Sequence, residues 1–211
     1  VRYPRQQREH TRRRILEEAS RAFRAEGVER TGIGRLMSRL GLTHGGFYAH
    51  FDSKEALVGE AVGCSLEATA ERLERVMRRR PDDPLRALLD AYLSEAHRDA
   101  PAEGCALPAV TAEVARSGEE ARGALTRTVR ALAGRIAREL PAPQHATAPD
   151  RQEAQSLALL GSMAGIVALA RAVNDPELSR KLLQAGRDLL QAALDAPTPE
   201  EPDDRSQHEP A

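Results

Sequence analysis

The sequence predicts an all-α fold of about nine helices, and three observations carry that prediction. Apolar positions recur at intervals of three and four, and no alternating β-branched run marks a strand. Gly, Pro and side-chain caps punctuate the chain at helix-length intervals. With 211 residues, 41% of them hydrophobic and 30% charged, the chain is globular and long enough to bury a sizeable core.

The first helix is expected from about Thr11 to Glu26, with Ile15, Ala19 and Phe23 on one face and Gly27 as its stop. A short helix, Ile33 to Leu40, ends at Gly41, and Thr43 caps another that ends near His50. Asp52-Ser53-Lys54-Glu55 opens a long helix to about Arg80, striped by Val58, Val62, Leu66, Thr69, Leu73 and Val76. Pro81 breaks it. Asp83-Pro84 starts the next, with Leu85, Leu88, Leu89, Tyr92 and Ala96 on one face. Pro101 to Gly104 is a break, Cys105 to Arg116 a short helix, and Glu119 to Leu140 a longer one. Residues 141–149 hold three Pro and read as a loop. Asp150 and Glu153 have capping-box spacing and open a helix to about Val173; Asp175-Pro176 opens the last, to about Leu194.

Composition divides the chain into three parts. Five of the six aromatics (Tyr3, Phe23, Phe47, Tyr48 and Phe51) precede residue 52, and only Tyr92 follows. A small aromatic-centred unit, residues 1–52, is therefore expected ahead of a Leu/Ala/Val-rich unit, 53–195. Residues 196–211 are Pro- and acid-rich and read as a disordered tail. The helices around Leu157, Leu160, Met163 and around Leu182, Leu189 are apolar on more sides than one neighbour covers. They are expected to form the contact of a homodimer.

The formal net charge is −1, which taken alone argues against a nucleic-acid partner. It is a sum of opposites. Residues 1–30 hold nine Arg against five Glu, and the tail holds five acids against Arg205. The basic head is the footprint expected of a phosphate binder.

The short helix, tight turn Gly41-Leu42-Thr43 and second short helix form a helix-turn-helix pattern. The run from Gly45-Gly46-Phe47-Tyr48-Ala49-His50-Phe51 through Asp52-Ser53-Lys54-Glu55-Ala56-Leu57 resembles the signature of the tetracycline-repressor (TetR/AcrR) family of transcriptional regulators. The resemblance is specific over about residues 13–60. It implies a DNA-binding regulator, most simply a repressor, with double-stranded operator DNA and a small-molecule effector as partners. An activator of the same fold is the alternative, and a small all-helical enzyme the alternative from another class. In helix-turn-helix proteins the second helix presents its N-terminal residues to the major groove. Here that places Thr43, His44, Gly45, Gly46 and Tyr48 at the duplex, and the resemblance adds His50 and Lys54 at phosphate. Two positions depart from the family pattern. Gly32 stands where Ser or Thr is usual, so Arg30 or Thr31 is expected to substitute, and His44 stands where Lys is common.

For the larger unit, Cys105 is the residue singled out. It lies at an expected helix start, where a thiolate is favoured. Glu103-Gly104-Cys105 resembles the motif of the branch that represses N-ethylmaleimide-reductase-type operons, which implies sensing of electrophiles or oxidants. The competing expectation is an apolar effector among Met77, Leu88, Leu89, Tyr92, Met163 and Val167. His97 and Arg171 fit either a polar contact or the surface. Cys64, mid-helix, reads as structural.

Other function classes fare poorly. The six His show no i, i+3 or i, i+4 pair, and no CxxC, HExxH, GxSxG, Walker or dinucleotide fingerprint occurs, so no metal, cofactor or enzymatic activity is expected. No stretch reads as the 18–20 apolar residues of a membrane span, and the polar, Arg-rich N-terminus is not a secretory signal. Two Cys make no disulfide framework. A cytoplasmic protein with no membrane partner is the expectation.

Overall fold

A computed structural model describes residues 5–141 and 149–196. The fold is all-α. Its helices are α1 (Arg5–Glu26), α2 (Ile33–Arg39), α3 (Lys54–Arg78), α4 (Pro84–Tyr92), α5 (Glu95–Asp99), α6 (Leu107–Val114), α7 (Glu119–Glu139), α8 (Pro149–Ala172) and α9 (Pro176–Asp195). Two 3-10 turns, His44–Ala49 and Pro101–Glu103, complete it.

The expected boundaries hold where a cap or glycine sets them. Gly27 (φ 90°) ends α1 and Gly41 (φ 70°) ends α2, both in the left-handed region that a side chain resists. The Ser53 hydroxyl caps α3 by accepting from the Ala56 N–H, and Asp175 caps α9 in the same way through Glu177 and Leu178.

Several boundaries differ from expectation, each for a physical reason. α1 starts six residues early. Its first turns carry no apolar residue, so periodicity was silent there, and they are held by contacts such as Arg8 to the Ala49 carbonyl (2.6 Å). The segment after Thr43 is a 3-10 turn rather than an α-helix. The single helix expected over 85–96 splits, because Ser94 accepts the His97 N–H and restarts the chain as a new cap. The helix expected from Cys105 begins two residues later, at Leu107. α8 begins at Pro149, so Asp150 lies inside the helix and not ahead of it. Tyr3, most of the proline-rich loop, the tail from Pro197 and the Leu66 side chain lie outside what is described.

One apolar cluster runs from Ile15 on α1 to Leu183 on α9. α3 is its axis and packs against α1, α4 and α7; α8 packs against α5, α6, α7 and α9. Contrary to the sequence reading, residues 151–172 of α8 are long and apolar enough to cross a membrane by length and composition. Leu159, Leu160, Met163 and Val167 of that helix are instead buried against its neighbours.

α8 and α9 touch closely at one point. A Cβ on Gly186 would lie 2.5 Å from Ile166 Cδ1. Gly186→Val should therefore lower stability in urea unfolding by about 1–3 kcal/mol, the usual cost of overpacking. An unchanged midpoint would show that α9 is free to move away from α8.

Candidate functional site

The turn His44–Ala49 is held from behind. Phe47 is fully buried and stacks on Phe51 at 5.6 Å between ring centroids. The Arg12 guanidinium lies 4.6 Å from the Phe51 centroid, a cation–π contact. Arg8 and Arg12 donate to the Ala49 and His50 carbonyls, satisfying the open C-terminal end of the turn. At its front, Thr43 caps the turn through the Gly46 N–H at 3.2 Å.

What remains outward is a short polar row. Thr43, His44, Gly45 and Tyr48 are exposed, Tyr48 at 59%, and Gly46 is half-buried. The Tyr48 and His44 rings are T-shaped to one another, with centroids 6.0 Å apart. Arg30 is exposed, and half-buried Lys54 reaches the Glu29 carbonyl at 3.4 Å. Two acids of α1 are taken up by α2. Glu18 and Glu26 pair with Arg39, and Glu26 also with Arg35, tying α1 to α2. Those arginines hold the Glu26 carboxyl below its ordinary range, the Arg39 hydrogen bond foremost.

Two expected contact residues are placed elsewhere. Thr31 is buried and donates its hydroxyl to the Gly27 carbonyl at 2.7 Å, so it does not substitute for the hydroxyl missing at Gly32. Gly32 caps α2 without a side-chain bond. His50 is half-buried, with Nδ1 buried and unpartnered. Burial first, then the charges of Arg8 and Arg12, lower its pKa, so it is a neutral buttress of the turn.

A second constellation surrounds Cys105. The neutral His97 ring accepts the Cys105 N–H at Nε2 (3.0 Å), which leaves its proton on Nδ1, donated to the Tyr92 carbonyl (2.7 Å). Burial drives the His97 pKa down to about 4, with Arg72 and Arg171 adding to the fall and the Tyr92 carbonyl opposing it. Arg171 ties the same corner together through the His97 and Arg98 carbonyls, at 2.8 and 3.0 Å. Gly104 makes room for this contact, since a Cβ there would meet His97 Nε2 at 2.9 Å. The Tyr92 hydroxyl is buried without a hydrogen bond of standard geometry. Burial, then the neighbouring Cys105, push its pKa well up.

Here the sequence reading needs correcting. Cys105 is fully buried, and burial raises its thiol pKa against the weaker pull of Tyr92 and the Leu107 N–H. The helix-start effect is thus outweighed and the resting thiol is protonated. Cys64, by contrast, is exposed. Leu88, Leu89, Tyr92, Met163 and Val167 are close-packed core and line neither of two surface clefts. Met77 alone of that set borders one, of about 290 Å³, with Arg78, Arg135 and Arg138. Of the expected dimer residues, Leu157 and Leu189 are exposed and Leu182 half-buried, whereas Leu160 and Met163 are buried within the single chain. Leu169 and Leu178 are exposed in their place. Among the described residues no cluster of His, Cys, Asp or Glu is arranged to hold a metal.

Sequence reasoning left His97 and Arg171 without a role and missed Arg24. Arg24 on α1 binds the Ala102 carbonyl and the Ser65 hydroxyl, joining the helix-turn-helix unit to the segment before Cys105. Their shared signal was weak: polar residues at helix positions otherwise facing the core.

An exposed helix-turn-helix on an all-helical body is the architecture of a DNA-binding regulator. Comparison with known proteins agrees: residues 15–61 match the family "Bacterial regulatory proteins, tetR family", and residues 81–185 match "Tetracyclin repressor-like, C-terminal domain". The chain belongs to the TetR/AcrR family of transcriptional regulators, whose members are DNA-binding proteins and not enzymes. It is 37% identical over 86 residues to the HTH-type transcriptional regulator TtgR of Pseudomonas putida, covering 40% of each chain. To AcrR of Shigella flexneri it is 33% identical over 93 residues, covering 44% of this chain and 43% of that protein. The match thus spans less than half the length of these relatives. Among solved structures, a TetR regulator of Chloroflexus aurantiacus superposes with a TM-score of 0.71 at 23% identity, covering 90% of this chain and 96% of the other. Reduced NemR of E. coli superposes with a TM-score of 0.70 at 18% identity, covering 87% and 96%. These structures share the fold and do not single out a branch.

The buried neutral His97 makes stability depend on pH. Unfolded, an ordinary His takes up a proton near pH 6.5, whereas folded His97 refuses it until about pH 4. Its stabilisation is therefore complete above about pH 6.5 and declines as pH falls toward 4, by an amount on the order of 3 kcal/mol. Urea unfolding of the wild type and His97→Gln across this window should show the steeper fall in the wild type. Parallel curves would mean that folding does not lower the His97 pKa.

Proposed function

We propose that the chain is a cytoplasmic, homodimeric repressor, released from operator DNA by an effector acting on the larger unit. Residues 1–52 form the reading head, and residues 53–195 carry dimerisation and effector response. The carrying observation is the outward row Thr43, His44, Gly45, Gly46 and Tyr48 on a turn fixed by Phe47 and Phe51. Arg30 and Lys54 flank it at the phosphates. Thr31 and His50 act behind it, by position. The unpartnered leucines of α8 and α9 (Leu157, Leu169, Leu178, Leu189) support an isologous four-helix contact between two copies.

The effector acts at the Tyr92–His97–Cys105 corner. Burial of the thiol and the close packing around it mean that a non-covalent ligand needs this corner to open before it binds. Modification of Cys105 by an electrophile, as the resemblance to the N-ethylmaleimide-reductase-repressor branch suggests, requires this corner to open first. Cys105→Ser should abolish induction by electrophiles while leaving operator binding intact; normal induction of that variant leaves the non-covalent ligand as the effector. An activator of the same fold would use the same contacts, and transcription of the neighbouring genes in a deletion strain separates the two by its sign.

Fluorescence anisotropy with labelled duplexes from the DNA flanking the coding region tests the reading. Binding should be sequence-specific and weaken steeply with salt. Thr43→Ala and Tyr48→Phe should each cost about fivefold, the ~1 kcal/mol of one hydrogen bond. Equal affinity for all duplexes, or wild-type affinity in both variants, would contradict it. Leu178→Glu with Leu189→Glu should sediment as a monomer; a persisting dimer would place the interface elsewhere.

A further inference from the structure

Segment 101–114 touches the helix-turn-helix unit twice, on either side of Cys105. Before it, Arg24 of α1 grips the Ala102 carbonyl, and Arg21 pairs with the Glu103 carboxylate at 3.1 Å. Arg72 of α3 donates to the Glu103 carbonyl. After it, Glu113 on α6 crosses to the turn between α1 and α2. Its Oε2 accepts the Val28 N–H at 2.7 Å and its Oε1 the Glu29 N–H at 3.2 Å.

That second contact is a built receptacle for one carboxylate. Gly27, at φ 90°, turns the chain so that two successive N–H groups point the same way. A Cβ on Gly27 would lie 3.0 Å from Glu113 Oε1, and the positive φ there strains any side chain, so glycine suits both the turn and the close approach of the carboxylate. These N–H groups follow the end of α1 and have no partner in its helical ladder. A carboxylate is the strongest acceptor for them. The same turn leads directly to Arg30 and α2, and so sets where the reading head stands on the body.

We infer that Glu113 is a positioning residue for operator binding: it fastens the α1–α2 turn to α6, and displacement at the Cys105 corner reaches the reading head through it. The inference rests on the operator-binding reading above. The path is short. His97 Nε2 holds the Cys105 N–H, α6 begins two residues later, and Glu113 stands near its end. This polar link joins α6 to the α1–α2 turn directly, beside the apolar core that α1, α3 and α6 share.

A double-mutant cycle needs no knowledge of the effector. Gly104→Ala perturbs the corner from within, since its Cβ would collide with His97 and crowd Arg171. Gly104→Ala should change operator affinity by about tenfold. In the Glu113→Ala background the same substitution should change it by less than about twofold, the non-additivity expected of coupled sites. Equal effects in both backgrounds, or no effect of Gly104→Ala alone, would overturn the inference. Hydrogen exchange on the free protein gives an arm independent of DNA. Protection at the Val28 and Glu29 amides should fall about tenfold or more in Glu113→Ala. It should return in part in Glu113→Gln, which keeps one acceptor oxygen. Unchanged protection in Glu113→Ala would overturn the clamp itself. If the wild type binds no duplex, the operator reading fails while the exchange arm still decides the clamp.

Discussion

The architecture depends on a single helix buried from two sides. α3 spans 25 residues, roughly 37 Å at 1.5 Å per residue. Leu57, Val58, Ala61 and Val62 in its first half and Ala70, Leu73 and Met77 in its second are buried in the same apolar cluster. Its neighbours are α1 of the reading head and α4 and α7 of the body. The Ser20 hydroxyl donates to the Ala61 carbonyl at 2.7 Å, and Arg12 pairs with Glu60, so the head is fixed to α3 by polar bonds as well. Close-packed interiors transmit displacement because they have few voids to absorb it. A head built on such a helix inherits any movement of the body.

Electrostatics and apolar surface complete the design at opposite ends. At the head, Glu18 and Glu26 of α1 are turned onto α2, and Arg8 and Arg12 onto the backbone of the turn. At the far end, α8 buries its Leu159–Val167 face in the chain and leaves Leu157 and Leu169 outward. The same excess of apolar surface that gives α8 the composition of a membrane span suits a helix covered on one side by its own chain and on the other by a second copy.

Much of this was legible in the sequence where a local signal exists. Gly27, Gly41, Ser53 and Asp175 set helix ends by backbone and capping chemistry that needs no tertiary partner. The run Gly45 to Leu57 carried the family resemblance, and the structure leaves Thr43, His44, Gly45 and Tyr48 exposed. Exposure was what local reasoning lacked. Thr31 and His50 have the right chemistry for phosphate, but the α1–α2 turn and the arginines of α1 enclose them. Cys105 sits near a helix start, yet its complete burial raises the thiol pKa and outweighs the opposing hydrogen bonds of Tyr92, Leu107 and Thr69. Leu160 and Met163 belong to the same apolar helix as Leu157, and only the placement of the neighbouring helices α5, α6, α7 and α9 separates inner from outer. Glu113 is invisible from sequence because its partners lie 85 and 84 residues away.

The central claim is that two copies present two reading heads to one duplex. Selection of bound duplexes from a random library, followed by hydroxyl-radical footprinting, tests it most directly. The account predicts enriched sites with dyad symmetry, their half-sites protected on one face and separated by about one helical turn, near 34–36 Å, or a related spacing. Enrichment of a single asymmetric half-site, or no enrichment over the input library, would contradict it.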